Sequence, residues 1–532
     1  MLRSARLNSV LLRVLCYGGL ALTLLLPSAA GAAEPRAQLP QGAVVGKSQD
    51  GVAVFKGIPF AAPPVGPLRW RPPQPAKAWA RELRADAFGP GCPQPERRPG
   101  VAPGGVARFA PPTTSEDCLT LNVWSRGRPG DKLPVMVWIH GGAFRVGGSS
   151  LPYFDGEAFA KQGVVLVTFN YRLGRLGFFA PPAIVKEAGA EAGGEAFGNY
   201  GLMDQIAALK WVKANVAAFG GDPGNVTAFG ESAGGSSLLF LLTSPATKGL
   251  FQKAIVESGG GWQRAASLAE KERADEAAVA ARSKATASAA ELRALPIADI
   301  LNMPMGGIGQ FGPFADGTIV HESPRAAFAA GRAMDVPMII GTNSDEATPL
   351  MRAFGADPQA VLNQLGPTGA AIYGSDGASP QVTAHRAYTD AAFTAPARWI
   401  AKRTAGGAPT WLYQFSYVPQ HKREPDLGAS HGAEIPFVFA SWGDIPGANA
   451  FLTAQDQAME VLMNRCWASF AKTGAPQCGN VAWPRYEPAS DALMAFGDEL
   501  KVLRGFRKPM LDWQEGRALS DRQGRALGQG LR

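Results

Sequence analysis

An α/β fold built on a mostly parallel sheet is the architecture that this 532-residue sequence predicts, and three observations carry it. Val135-Met136-Val137-Trp138-Ile139 and Val164-Val165-Leu166-Val167-Thr168-Phe169 are unalternating apolar runs of strand length. Runs without a polar face fit strands buried on both sides, as in a parallel sheet with helices on both faces. Between Asn199 and Phe219, Leu202, Ile206, Leu209, Val212 and Val216 recur at helical spacing. Alternating strands and helices are the pattern of a sheet flanked by helices. Third, Gly230-Glu231-Ser232-Ala233-Gly234 stands between the apolar run Val226-Thr227-Ala228-Phe229 and the segment Ser236-Ser237-Leu238-Leu239-Phe240-Leu241-Leu242, so the chain reads strand, tight turn, helix.

The elements follow in order. Arg3, Arg6 and Arg13, an apolar stretch from Val14 to Leu26, and the small residues to Ala33 have the layout of a secretory signal peptide over 1–33. That stretch falls short of the roughly 20 residues that cross a bilayer, so no stable membrane span is expected. Leu15 precedes Cys16 where lipidation requires a small residue, which argues against a lipid anchor. Val44-Val45-Gly46 and Val52-Ala53-Val54-Phe55 read as a small antiparallel edge. Ala254-Ile255-Val256, Pro337-Met338-Ile339-Ile340 and Trp411-Leu412-Tyr413-Gln414-Phe415 read as further strands. The Ala-rich, charged stretch 265–295 reads as exposed helices of an inserted cap. No linker, repeat or charge block divides 34–532, which is expected to form one large domain.

Composition is that of a globular protein, 46% hydrophobic and 18% charged. The formal charge of +8 includes the three leader arginines, and the remainder holds only short basic pairs such as Arg97-Arg98 and Lys422-Arg423. Scattered charge of this kind gives no footprint for nucleic acid. Four cysteines remain beyond the leader, an even number suited to an oxidising compartment. Three pairings are open, the local ones being Cys92 with Cys118 and Cys466 with Cys478. A tie across the Pro/Gly-rich loop after Cys92 would be worth on the order of 3 kcal/mol. With no Cys-x-x-Cys and five histidines in all, a metal site is not expected.

In its strand-to-helix context Gly-x-Ser-x-Gly is a candidate nucleophile elbow. Ser232 would sit in strained backbone, with glycines at 230 and 234 because side chains there would strike neighbouring backbone. The Ala233 amide opens the next helix, whose positive end favours developing negative charge. After the strand ending at Ile139 comes His140-Gly141-Gly142-Ala143-Phe144, a Gly-rich turn of the kind that supplies the remaining oxyanion donors in α/β-hydrolases. Gly142, Ala143 and Ala233 are the expected donors. In that fold the chain order is serine, acid, histidine. His140 and His321 therefore fit the base poorly; His385 lies in a helical pattern and His421 in a charged run. His431, between Gly428 and Gly432, suits a loop-presented imidazole. The strand ending at Ile340 leads to Gly341-Thr342-Asn343-Ser344-Asp345-Glu346, and spacing leaves Asp345 and Glu346 equally open as the acid, the other facing solvent or capping a helix.

These motifs resemble the type-B carboxylesterases, the family of cholinesterases and bacterial para-nitrobenzyl esterases. The likeness runs from Gly57-Ile58-Pro59-Phe60-Ala61 and Pro67-Leu68-Arg69-Trp70 through Glu116-Asp117-Cys118-Leu119-Thr120-Leu121-Asn122-Val123. It continues through Asn170-Tyr171-Arg172-Leu173-Gly174 and Phe219-Gly220-Gly221-Asp222-Pro223 to Trp483-Pro484. The resemblance implies an α/β-hydrolase fold: a mostly parallel mixed sheet flanked by helices, with inserted helical cap regions. It implies Glu346 as the triad acid, His431 as the base and a Cys92–Cys118 disulfide. It also implies an auxiliary role for Glu231 beside the nucleophile, holding water or a cationic group. Ala347 stands where the family has glycine after the acid. The implied activity is hydrolysis of small-molecule carboxylic esters through an acyl-enzyme, without cofactor, by an exported protein of periplasm or extracellular space. A specialised lactone, carbamate or polyester toxin esterase is the alternative, and a non-catalytic adhesion protein a more distant one. The Cys92–Cys118 loop has Phe109 as its one aromatic and no tryptophan, so choline specificity is not expected. Phe144, Phe178, Trp262, Phe311, Phe314 and Phe437 are candidates for the wall of an apolar gorge.

Overall fold

The computed structural model describes residues 34–95, 111–191, 197–262, 264–282, 287–304, 311–423, 428–445 and 447–520. The expected leader over 1–33, the Arg97-Arg98 pair and Phe109 lie outside the described residues. Along the chain the first strands are β1 (Arg36–Leu39), β2 (Gly42–Val45), β3 (Lys47–Gln49), β4 (Val52–Pro59) and β5 (Leu83–Arg84). Then come β6 (Thr120–Ser125), β7 (Leu133–Ile139), β8 (Val165–Phe169), β9 (Gly221–Glu231) and β10 (Lys253–Glu257). The last are β11 (Met338–Asn343), β12 (Thr410–Phe415), β13 (Ala492–Phe496) and β14 (Leu500–Arg504).

Among the described residues, eleven strands form one sheet in the order β14-β13-β12-β11-β10-β9-β7-β8-β6-β4-β3. The run from β8 to β13 is parallel throughout, and antiparallel strands β6, β4 and β3 at one end and β14 at the other complete it. Strand residues alternate between two apolar cores, one on each face. Val135, Val137 and Ile139 of β7 join one, Met136 and Trp138 the other. Ala254 and Val256 against Ile255, and Met338 and Ile340 against Ile339, repeat the split in β10 and β11. Burial on both faces is why these strands carry no polar alternation.

The helix Tyr200–Asn215 forms where the spacing places it and buries Leu202, Ile206, Leu209 and Val212. It also buries Asp204, whose carboxylate takes Arg172 Nε and Nη2 at 2.8 Å each and the Arg172 amide at 3.0 Å. This ion pair fixes the Asn170-Tyr171-Arg172 segment after β8. Arg69 is likewise bidentate to Glu116, at 2.6 and 2.7 Å, which joins two of the family-like segments.

Two early expectations need correction. Val44-Val45 and Val52 to Phe55 do not pair with each other: β2 lies in a separate three-stranded sheet with β1 and β5, whereas β4 belongs to the main sheet. The stretch 265–295 does form helices, Leu268–Ala280 and Ala289–Arg293, each opened by a Ser/Glu capping box. One face is buried rather than exposed, because Lys271 and Asp275 pair at 2.9 Å with almost no solvent contact and Val279 and Leu292 pack on Trp70 and Phe179. The disulfide that the resemblance implies, Cys92–Cys118, is formed, and so is the other local pairing left open by the sequence, Cys466–Cys478.

Candidate active site

All the expected site residues gather at the carboxyl ends of the parallel strands, where open α/β sheets place their chemistry. Ser232 follows β9 directly and is the N-cap of the helix Ala233–Thr243, with φ 56° and ψ −119°. That strained conformation is fixed from both sides: the Ser232 amide donates to the Glu257 carbonyl of β10 at 2.9 Å, and its carbonyl accepts from the Ser236 amide at 2.8 Å. Gly234 is compulsory here. A Cβ on it would lie 1.9 Å from the Ile139 carbonyl oxygen and 3.1 Å from that of His140, so the helix could not seat against the end of β7.

The Ser232 hydroxyl stands 2.7 Å from His431 Nε2, and His431 Nδ1 stands 2.5 Å from Glu346 Oε2. The structure separates the two adjacent carboxylates that spacing left open. Glu346 is fully buried, its other oxygen taking the Ser258 hydroxyl at 2.6 Å and the Asn343 amide at 2.7 Å. Those bonds turn the carboxylate toward the imidazole and hold the ring's orientation, the task of a triad acid. Asp345 instead accepts the Thr348 amide at 3.2 Å and caps the following helix. Phe393 packs on the His431 ring at 5.3 Å between centroids. The other histidines are elsewhere: His321 and His421 are exposed, and His385 bonds Thr348 Oγ1 at 2.9 Å.

After β7 the chain turns sharply through Gly142, Ala143 and Phe144, with φ of 111°, 55° and 58°. Two consecutive L-residues in left-handed backbone cost roughly 1–2 kcal/mol each. The Gly142 carbonyl offsets this by accepting both the Arg145 amide at 3.0 Å and the Val146 amide at 3.1 Å, and Gly174 donates to the Phe144 carbonyl at 2.7 Å. Among the described residues no acceptor is paired with the amides of Gly142, Ala143 or Ala233. His140, discounted as a base, has a structural place that sequence reading missed. It is buried, its ring stacks on Tyr171 at 4.4 Å, and its Nδ1 lies 2.8 Å from the Gly141 carbonyl. Burial pushes its pKa down to about 4, so the ring is neutral at ordinary pH.

Around Ser232, His431 and Glu346 lie more carboxylates than the motifs disclose. Glu231 is buried, 3.2 Å from His431 Nε2. Glu257 is buried and bonded to the Trp467 indole N–H at 2.8 Å. Its pKa is pushed up to about 8, chiefly by burial, with the Glu231 charge adding to it and the indole opposing. Glu434, bonded to Asn343, is raised well above the usual range by burial and then by Glu231, Glu257 and Glu346. Like charges this close cannot all ionise, so part of the cluster holds protons at neutral pH. Ser258 and Glu257, in Glu257-Ser258-Gly259-Gly260 at the end of β10, carried one readable signal: they end the strand adjoining the elbow strand.

Ser232, His431, Gly142 and Ala143 open into a cavity of about 360 Å³ whose aromatic wall is Tyr153, Phe154, Tyr417 and Trp442. The expected gorge residues Phe144, Phe178, Trp262, Phe311, Phe314 and Phe437 are not on this wall. Phe144 and Phe178 pack edge-on at 5.1 Å in the main core, and Phe437 is buried between Phe415, Tyr417 and Trp442 on the other face. An apolar chamber with a serine, a base and unpaired amides on one side is arranged to attack an ester carbonyl.

Comparison with known proteins agrees with this arrangement. The model of the Carboxylesterase family matches residues 33–366 and 371–513. A fumonisin B1 esterase of Sphingopyxis macrogoltabida is 38% identical over 89% of this chain and 89% of its own. A para-nitrobenzyl esterase of Bacillus subtilis (strain 168) is 38% identical over 87% of this chain and 94% of its own. Among solved structures, a Geobacillus stearothermophilus carboxylesterase superposes with a TM-score of 0.77 at 33% identity, covering 90% of this chain and 99% of that one. Matched along its length in sequence and in α/β-hydrolase architecture, the chain belongs to the carboxylesterase family and is a carboxylic ester hydrolase.

Proposed function

We propose that the chain is an exported serine esterase in which Ser232, His431 and Glu346 form the catalytic triad and residues 34–532 a single catalytic domain. The observation that carries the reading is the continuous path Ser232 Oγ to His431 Nε2 to Glu346, at 2.7 and 2.5 Å. His431 takes the serine proton as Oγ attacks the ester carbonyl. The tetrahedral oxyanion is held by the amides of Gly142, Ala143 and Ala233, and its collapse expels the alcohol, protonated by His431. Water activated by the same imidazole then attacks the acyl-enzyme, releasing the carboxylic acid and restoring Ser232. Glu231, buried against His431 Nε2, is suited to stabilising the imidazolium that forms in each step. The substrate class is small or medium carboxylic esters, with the 360 Å³ cavity holding one limb of the ester.

Export rests on the leader-like layout of 1–33 and on two disulfides, which persist in oxidising compartments. Among the described residues no helix is long and apolar enough to cross a membrane. The test is steady-state hydrolysis of a para-nitrophenyl ester panel by the wild type and Ser232→Ala. Turnover that falls by orders of magnitude in the variant supports the reading. Equal turnover in both, or none in either, contradicts it.

A further inference from the structure

The oxyanion turn continues into an arginine that the ester-hydrolysis scheme does not use. Arg145 follows Phe144, its amide bonded to the Gly142 carbonyl at 3.0 Å. Its guanidinium is partly buried, 5.8 Å from the centroid of Phe311, and makes no hydrogen bond or ion pair with any described residue. Burial alone acts on it, pulling its pKa down with no acid to restore it. A second guanidinium shares the ring: Arg175, 3% exposed, lies 5.4 Å from the same centroid. Arg175 Nη1 donates to the Met303 carbonyl at 3.1 Å and Nη2 to that of Pro304, while its Nε is buried without a partner. The one acid acting on Arg175 is Asp275, already bound to Lys271 at 2.9 Å and to the Ala180 amide at 2.8 Å. Arg175 and Lys271 thus share one aspartate, and no acid faces Arg145 among the described residues.

A desolvated like-charged pair is a standing cost unless an anion joins it. A carboxylate matches the guanidinium fork in plane and spacing, which makes it the natural occupant. We propose that Arg145 is a specificity-determining residue that binds a free carboxylate on the acyl limb of the substrate, so that the enzyme selects hemiesters of di- and polycarboxylic acids. The proposal rests on the esterase reading of Ser232. The acyl limb is indicated because the leaving oxygen must meet His431, and the chamber on the His431 side is not walled by Arg145, Arg175 or Phe311. The alcohol occupies that chamber, and the remaining limb of the ester passes the turn that carries Arg145.

Two probes with the same glutaryl chain test this: mono-4-nitrophenyl glutarate, which carries the carboxylate, and its methyl ester, which does not. Rates are corrected with Ser232→Ala. The wild type is expected to favour the anionic probe in kcat/KM, mainly through KM and less so as salt rises. In Arg145→Gln the anionic-to-neutral ratio drops about tenfold or more, and Arg145→Lys restores part of it. A ratio in Arg145→Gln within about twofold of wild type overturns the subsite. Should the variants fail to fold, the wild type alone decides: glutarate must inhibit hydrolysis of the neutral probe at lower concentration than glutaramide, and equal inhibition overturns the proposal. Turnover of the neutral probe with an unchanged ratio removes only the subsite. Loss of Ser232-dependent turnover on both probes removes the esterase reading with it.

Discussion

Adding one methyl group at Gly234 should disable the site without touching any catalytic side chain. A Cβ there lies 1.9 Å from the Ile139 carbonyl oxygen and 2.7 Å from its carbon, both backbone atoms at the end of a central strand. Ordinary contact begins at 3.4 Å, so the start of the helix Ala233–Thr243 must retreat by about 1.5 Å. That helix start carries the Ala233 amide and follows the strained Ser232, whose hydroxyl must stay 2.7 Å from His431. Misplacement by about 1 Å costs roughly a hundredfold in rate, so Gly234→Ala should lose at least that in kcat, together with about 1–3 kcal/mol of stability from overpacking. Gly516→Ala is the matched control. It lies in the exposed part of the helix Lys508–Ser520, and a Cβ there meets nothing within 4 Å. It should gain up to about 1 kcal/mol, through helix propensity, at unchanged kcat. The assay is para-nitrophenyl butyrate hydrolysis with active-site titration, paired with thermal melting. Wild-type kcat and Tm in Gly234→Ala would refute the packing argument at the elbow.

Three further outcomes are expected. Glu346→Gln keeps the bonds to Asn343 and Ser258 but withdraws the charge that orients and stabilises the imidazolium, so kcat at neutral pH should fall by about 10⁴ with KM little changed, and a loss under tenfold would contradict its role. Asp204→Asn leaves the buried Arg172 guanidinium uncompensated and should lower the unfolding free energy by about 3–5 kcal/mol in urea titration, against no shift if the pair were incidental. Glu257 titrates near 8 in the folded chain and near 4.5 when unfolded, so the folded state holds a proton that the unfolded state releases, and this group's contribution to stability falls as pH rises from about 4.5 through 8. Glu257→Gln, which retains an acceptor for the Trp467 indole, should melt higher than wild type at pH 8 to 9 and converge with it at pH 5; parallel Tm curves would rule the titration out.

The parallel strands were legible because burial on both faces leaves a local mark, an apolar run without alternation. Ser232 and the turn after Ile139 were legible for a related reason, since strained backbone and close approach admit few residue types. The choice of Glu346 over Asp345 was not contained in spacing. It depends on which carboxylate the Asn343 amide and the Ser258 hydroxyl capture, and Ser258 lies 88 residues away. The placement of β2 and β4 in different sheets was hidden because a two-residue period names a strand's faces, not its partner. The gorge phenylalanines failed for a similar reason: an aromatic side chain has the same signature in a core as on a cavity wall. Buried pairs such as Lys271 with Asp275 read as solvated charge until packing sets them against Ala180 and Phe314.

The central claim, that Ser232 is the nucleophile of a triad completed by His431 and Glu346, is tested most directly by covalent labelling. Wild-type protein treated with diethyl 4-nitrophenyl phosphate is digested and analysed by mass spectrometry. One diethylphosphoryl group per chain is expected on the peptide containing Ser232, formed in step with loss of esterase activity and absent from Ser232→Ala. An adduct on another residue, or esterase activity that survives full modification of Ser232, would contradict it.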